Sequence, residues 1–414
     1  MQELWEWRSE DEHGEKPSYS IVCSMKVALV TGSYPPQPCG VGDYSERFVQ
    51  ELHRSGVEIE VVTTVSRERS KTPFIKYELD DWRLANWRSA VRWMSSQAYD
   101  IVHVQYPARF YGYRPGLALL TSVLKSGLPR TPIVVTFHEF RISHILRKLT
   151  VAAIASRADA VIVTAESERK VYARWIPWVS RRMHVVPLAT TIPNHTASPE
   201  ERELIRKSRG VEEKDVVIGY FGFLHPNKGI EEILQSFAIV YALRPSAKLM
   251  MICLFDPAKN EYHRRIQELV RKLKMEKAVT WTGFLPSGDL SRHLASADIG
   301  LFPFAEGVSL RRLSFMTAMA HGIPTVTTLG QVPAEELGLR DGEHVLLVPA
   351  PASEQSLAKA VVRLVDSKDL RARLSEGARH WAKPFQWETV ITRTMDVYQG
   401  LVREAGSGAR GGER

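Results

Sequence analysis

The sequence predicts an α/β protein made of two doubly wound, parallel-sheet domains that face a cleft. Three observations carry this. Runs of β-branched and aromatic residues alternate with segments of helical period along most of the chain. A polar, Pro-rich stretch at residues 190–199 (TTIPNHTASP) interrupts the alternation once. At 414 residues the chain is too long for one ordinary core.

The first array opens at residues 26–32 (KVALVTG), an apolar strand. Gly40, Val41, Gly42 and Asp43 start a helix that runs to Arg54, and Gly56 ends it. Residues 59–64 form a second strand. Residues 66–98 are charged and Trp-rich, with helical phasing after Asp81. Strands at 100–106 (DIVHVQY) and 132–138 (PIVVTFH) flank a helix around 116–125. An amphipathic helix is expected at 141–156, then strands at 160–165 and 183–188. Beyond the break, strands are expected at 216–222, 248–254, 278–284, 299–304, 325–329 and 344–348. Helices are expected at 357–365 and, closing the chain, at 387–402. The domain reading is a disordered extension at 1–24, a first domain at 25–190, a linker at 191–200, a second domain at 201–385, a last helix at 386–405 and a disordered tail at 406–414.

Composition sets bounds. Hydrophobic residues make up 44% and charged residues 25%, an ordinary balance for a soluble globular protein. The net charge of +8 suits an anionic partner without choosing one. Cys23, Cys39 and Cys253 are far apart and form no Cys-x-x-Cys, so a reducing compartment is expected and a zinc site is not. The N-terminus lacks the basic start and apolar run of a signal peptide. No apolar run reaches the ~18 residues that span a bilayer.

The stretch 216–237 (VVIGYFGFLHPNKGIEEILQSF) reads as strand, loop and helix. Gly222 lets the backbone approach a ligand, and Lys228 stands beside a helix start, where unpaired N–H groups favour an anion. A diphosphate would fit; spacing alone suits a solvated surface lysine equally well. Residues 299–328 repeat the pattern. Gly307 lies in the loop, Ser309 is the expected N-cap, and Arg311 and Arg312 fall in the expected first helical turn. Positive charge there opposes the helix dipole and hints at an anionic ligand, with two solvated arginines as the alternative. His138 ends a strand as Thr-Phe-His-Glu and could hold a hydroxyl or phosphate; on its own it reads more readily as a structural histidine. Gln105 and Tyr106 end the neighbouring strand.

Absences narrow the chemistry. The sequence offers no Asp-x-Asp, His-Glu-x-x-His, Gly-x-Ser-x-Gly or Walker loop. Its basic clusters are not interleaved with aromatics, so no nucleic-acid partner is expected. A dinucleotide oxidoreductase would need Gly-x-Gly-x-x-Gly and a ribose-binding acid, and neither array supplies both.

Taken together, several motifs resemble the retaining, GT-B-fold glycosyltransferases of family 4 (group 1). They are Gly40-Val41-Gly42, residues 100–105 (DIVHVQ), Thr136-Phe-His138, residues 222–229 (GFLHPNKG), residues 318–324 (AMAHGIP) and Phe385-Gln-Trp-Glu388. The resemblance implies two Rossmann-like domains, with the acceptor bound by the first, the nucleotide-sugar donor by the second, and a last helix crossing back. Lys228 matches the lysine that holds the donor diphosphate, His138 the histidine near the donor sugar, and Gly40 and Gly42 the glycine loop. Two departures stand out. Phe223 occupies the usual place of an arginine, and the family's paired glutamates fall on Ser309 and Thr317.

The resemblance therefore implies metal-independent transfer of a sugar, with retention, to a glycan, lipid-linked or small-molecule hydroxyl. His138 and Lys228 would be catalytic. Gly40, Gly42, Gly222, Gly307, Ser309, Arg311, Arg312 and Thr317 would bind the donor, with no cofactor. The missing glutamates leave a non-catalytic nucleotide- or glycan-binding protein as the alternative. The expected location is cytoplasmic. The basic, apolar helix containing Arg147, Lys148 and Leu149 adds a peripheral membrane contact as a weaker expectation, against packing on the domain's own sheet.

Overall fold

The computed structural model describes residues 25–37, 40–66, 72–106, 111, 115–138 and 145–410. The expected extension at 1–24, the basic cluster at 67–71 and residues 141–144 of the expected fourth helix lie outside the described residues. The chain divides into two units. One runs to Thr191 and resumes at Trp387; the other is Ile192–Gln386.

The first unit builds β1 (Lys26–Thr31), α1 (Gly40–Arg54), β2 (Glu58–Thr64), β3 (Ile75–Leu79), α2 (Leu84–Ser95) and β4 (Ile101–Tyr106). It continues with α3 (Leu120–Gly127), β5 (Ile133–Phe137), α4 (Ile145–Arg157), β6 (Ala160–Val163), α5 (Glu166–Trp175) and β7 (Met183–Val185). The strands form one parallel sheet in the order β3-β2-β1-β4-β5-β6-β7. Its strands are buried on both faces, which is why they read as unbroken apolar runs. Val27 and Leu29 pack into one core and Ala28 and Val30 into the other, the alternation that the pleat imposes. Strand β3 was not expected. It is an edge strand whose Ile75, Tyr77 and Leu79 alternate with Lys76 and Glu78, a half-exposed pattern hidden in a charged segment.

The second unit builds α6 (Pro199–Ser208), β8 (Val216–Phe221), α7 (Ile230–Leu243), β9 (Ala247–Ile252), α8 (Glu261–Lys272), β10 (Val279–Trp281) and α9 (Ser287–Ala295). Then follow β11 (Ile299–Phe302), α10 (Leu313–Ala320), β12 (Thr325–Leu329), β13 (Leu346–Pro349), α11 (Glu354–Asp366) and α12 (Lys368–Ala382). This sheet is also parallel, in the order β10-β9-β8-β11-β12-β13. Chain order reverses between β8 and β11, the place in an open α/β sheet where ligands bind outside the carboxyl ends of the strands.

The last helix, α13 (Trp387–Arg410), belongs to the first unit. Val390, Ile391, Met395 and Tyr398 recur at helical spacing and complete the core on one face of that unit's sheet. The helix continues through Gly406 and Gly408 to Arg410, five residues into the expected disordered tail. Elongation from a long packed helix adds one hydrogen bond per residue, which offsets the cost of about 1 kcal/mol for each glycine.

Candidate active site

In the second unit the loops after β8, β11 and β12 are packed backbone against backbone. Gly229 adopts φ +70°, and a side-chain Cβ there would lie 2.0 Å from the Pro303 carbonyl oxygen. Gly307 adopts φ +85°, and its Cβ would lie 2.1 Å from the Gly330 nitrogen. Neither position admits another residue without movement of the main chain. Gly222 adopts φ +144°, and a Cβ there would lie 3.1 Å from the Tyr220 hydroxyl and 3.7 Å from Ser314 Cβ at the start of α10. The Tyr220 hydroxyl donates to the Phe223 carbonyl at 3.0 Å and holds this turn. Phe223 itself is 82% exposed.

These constraints aim two cations at one ring. Lys228 closes the short 3-10 turn Pro226–Lys228, and its Nζ lies 5.7 Å from the centroid of buried Phe304. The Arg312 guanidinium lies 4.7 Å from the same centroid. Burial lowers the pKa of Lys228 below the usual lysine range, and the charge of Arg312 lowers it further. Burial also lowers that of Arg312; Glu306 offsets part of the effect and Arg311 adds to it. Arg312 pairs with Glu306 at 3.7 Å, on a side chain 88% exposed to water. Two partly desolvated like charges thus share a platform with one loosely held counter-ion. That arrangement is unfavourable in the free protein and favourable around an anion.

Two helix starts border the same loops. Neither α7, capped by Gly229, nor α10, capped by Arg312, has a side-chain hydrogen bond at its N-cap. Their first-turn amides are therefore available to an anion or water. Glu231 and Glu232 occupy the first turn of α7, but Glu231 is engaged by the Tyr262 hydroxyl at 2.7 Å.

The expected N-cap at Ser309 requires correction. The Ser309 carbonyl accepts from the Arg312 amide in a separate turn, and α10 begins four residues later. The Val308 amide donates to Thr328 across the sheet end at 2.7 Å, which holds this segment out of the helix. Arg311 and Arg312 consequently precede the helix rather than occupying its first turn. Ser309 and Arg311 are half-buried, whereas Thr317 is fully buried within α10. His321 of the same motif is a structural residue, bonded to the Thr317 carbonyl and the Ser291 hydroxyl, each at 2.8 Å.

The first unit holds a separate polar group at its own strand-order reversal, between β1 and β4. His138 follows β5 and is buried. Its Nε2 lies 2.6 Å from Gln105 Oε1 on β4. An amide oxygen accepts, so the proton sits on Nε2 and Nδ1 is left with its lone pair. Burial pushes the His138 pKa down to about 4, so the ring is neutral at pH 7. Tyr44, two residues after Gly42, sets its ring edge against His138 at 6.0 Å between centroids. The glycine turn and the histidine are thereby brought together. Gly40 is the first residue of α1, and nothing lies within 4 Å of where its Cβ would be.

Two contributors were not legible beforehand. In the sequence Phe304 marks only the end of a strand. His103 stands in the middle of β4, bonded to the Tyr398 hydroxyl at 2.5 Å and to Thr136 Oγ1 at 2.7 Å. Burial, and then the proximity of His138, pushes its pKa down to about 3. Among the described residues, no group of three His, Cys, Asp or Glu side chains is arranged to hold a metal ion, and no helix is long and apolar enough to cross a membrane.

Residues 201–381 match the family model described as "Glycosyl transferases group 1", and residues 38–190 match "Glycosyltransferase Family 4". A D-inositol 3-phosphate glycosyltransferase from Corynebacterium urealyticum is 26% identical over 259 residues, 62% of this chain and 60% of that protein. A GDP-mannose-dependent monoacylated alpha-(1-6)-phosphatidylinositol monomannoside mannosyltransferase from Corynebacterium glutamicum is 21% identical over 392 residues, 92% of this chain and 99% of that protein. The match thus spans about 60% of the first of these relatives and nearly all of the second. The Anabaena protein HepE, solved in complex with UDP, is similar in fold, with a TM-score of 0.68 and 18% identity over 91% of this chain and 100% of that one. With a doubly wound parallel sheet in each unit and the two family models matching across both, the chain belongs to the group 1, family 4 glycosyltransferases of the GT-B fold.

Proposed function

We propose that the protein transfers a sugar from a nucleotide-sugar donor to a hydroxyl acceptor, with retention at the anomeric carbon and without a metal ion. The observation that carries this reading is the pair of partly desolvated cations, Lys228 and Arg312, on the Phe304 ring at the strand-order reversal of the second unit. As the glycosidic bond breaks, negative charge grows on the leaving diphosphate. Cations fixed there in advance stabilise the transition state more than the ground state. The half-buried Ser309 and Arg311 are assigned to the rest of the donor, with Gly222 letting the chain approach it and Gly307, whose own amide donates to the Phe304 carbonyl at 2.9 Å, shaping the loop. Thr317, being buried, supports the loop from within α10. His138, neutral and oriented by Gln105, is assigned to hold a hydroxyl of a sugar substrate, beside the Gly40–Gly42 turn. No protein nucleophile is required if an oxygen of the leaving phosphate receives the acceptor's proton.

Relatives named for UDP complexes and for GDP-mannose point to nucleotide sugars as the donor class, and a lipid-linked, glycan or small-molecule hydroxyl is the acceptor class. The buried thiol of Cys253 suits the reducing cytoplasm. A thermal-shift screen against UDP-, GDP- and ADP-sugars, followed by transfer assays in EDTA, tests the proposal. Anomeric configuration of the product, read by NMR, tests retention. A second reading, binding without turnover, is favoured by one observation: Ser309 and Thr317 stand where the family's glutamates would be, and Thr317 is sealed in the core. Tight nucleotide binding with no transfer or hydrolysis across a broad acceptor panel would select it.

A further inference from the structure

The linker that enters the second unit at Ile192 is held by a polar clasp that the proposed transfer reaction does not use. Ser291 of α9 is fully buried and lies at its centre. Its hydroxyl donates to the Pro193 carbonyl at 2.7 Å and accepts from the His195 amide at 3.0 Å. The same oxygen lies 2.8 Å from Nε2 of His321, the buried residue that follows α10. On the other side of that ring, Nδ1 lies 2.8 Å from the Thr317 carbonyl. Asn194 adds a bond from its side-chain amide to the Ala320 carbonyl at 3.0 Å.

The protons available fix the charge that this clasp requires. The contacts Ser291–Pro193, Ser291–His321 and His321–Thr317 each need one proton, and the two carbonyls can only accept. The serine hydroxyl supplies one. A neutral imidazole supplies one more, so one contact is left with two lone pairs facing each other. An imidazolium supplies two and completes the set. We infer that Ser291 and His321 form a proton-operated clasp on the linker, complete only when the His321 ring is charged. Burial lowers the His321 pKa, as do the charges of His195 and Arg379, while the bond to the Thr317 carbonyl raises it. The ring is therefore neutral at pH 7 and the clasp is one proton short; acidification supplies it. Burial opposes the new charge, whereas two accepting oxygens favour it. The neighbouring charges have partners of their own. Glu201 of α6 accepts from His195 Nε2 at 2.8 Å and pairs with Arg292 of α9 at 3.1 Å. Arg379 of α12 donates to the Ser375 hydroxyl at 2.8 Å. The inference stands apart from the donor reading, since the clasp requires no substrate.

The test is titration of the full chain by histidine-ring NMR, with His321 assigned by its loss in His321→Gln, alongside amide hydrogen exchange. If Ser291 accepts from the charged ring, Ser291→Ala should lower the His321 pKa by about one pH unit. A serine that instead donates to the neutral ring predicts a rise, so a higher or unmoved pKa would overturn the inference. In the wild type, exchange of the His195 amide, corrected for its intrinsic pH dependence, should slow roughly fivefold as His321 takes up its proton. This second measurement needs no variant and covers the case of a poorly folded Ser291→Ala. Equal protection on both sides of the His321 titration would overturn the inference as well. His195→Gln keeps the amide and removes the neighbouring imidazole, so the dependence should persist there. Its disappearance in His195→Gln would assign the effect to the pair with Glu201 and refute the clasp.

Discussion

Replacing Lys228 by Met separates a functional cation from a structural one. In the free protein Lys228 and Arg312 sit over the same ring, and each disfavours the other's charge. Removing one charge while keeping the aliphatic stem should leave the fold unharmed or slightly more stable. A gain of ~1 kcal/mol would raise Tm by roughly 2–4 °C in a unit of this size. Activity should move the other way. A unit charge pair at ~4 Å and an effective dielectric of ~20 interacts by about 4 kcal/mol before desolvation. Only the part that grows as the phosphate leaves counts toward kcat, and losing one such group costs about 10²–10³-fold. The assay is nucleotide release with the best donor from the screen, alongside calorimetric melting. Lower activity with an unchanged or higher Tm supports the reasoning. Unchanged turnover refutes it, and a large fall in Tm would show that Lys228 holds the fold together instead.

Other outcomes follow from the same geometry. Gly229→Ala must place a Cβ in the Pro303 carbonyl at a positive φ, so it should cost about 3 kcal/mol or more in urea denaturation; a loss below about 1 kcal/mol would mean the two loops are not locked as described. Tyr398→Phe leaves His103 Nδ1 buried without its partner and should cost about 1–3 kcal/mol in thermal melts, with no change expected if that bond is absent in solution. The buried histidines also set a pH dependence. Their folded pKa values, about 3 for His103 and about 4 for His138, lie below the unfolded value near 6.5. Between those limits the unfolded chain binds protons that the native chain refuses, so stability falls as pH drops from 6.5 toward 4. The loss is roughly 3 kcal/mol per histidine by about pH 4. Desolvation holds Asp43 up near 6, which acts in the opposite sense, but the residue is partly open to solvent and screening shrinks the offset. A stability curve flat from pH 7 to about pH 4 would contradict buried, neutral imidazoles.

Much of the fold was legible because burial on both sheet faces writes itself as unbroken runs such as VALV and IVVTF. The strands at 26–32, 132–138 and 216–222 needed little more than that. Strand β3 escaped because an edge position lets Lys76 and Glu78 alternate with apolar residues. The start of α10 was misplaced because Ser309 has the chemistry of a cap, while what fixes the boundary is a backbone bond from Val308 to Thr328 on another strand. Lys228 and Arg312 were each visible as a charge beside a glycine loop. Their sharing of Phe304 was not, since it depends on how β8 and β11 pair across the sheet. The bond between His103 and Tyr398 joins residues 295 positions apart, a distance no local pattern can bridge.

Isothermal titration calorimetry with UDP, GDP and ADP in EDTA tests the central claim most directly, on wild type, Lys228→Met and Arg312→Gln. The account predicts that at least one nucleoside diphosphate binds the wild type and that each substitution weakens it by about tenfold or more while the fold persists. Equal affinity in all three proteins would place the diphosphate elsewhere and contradict the account.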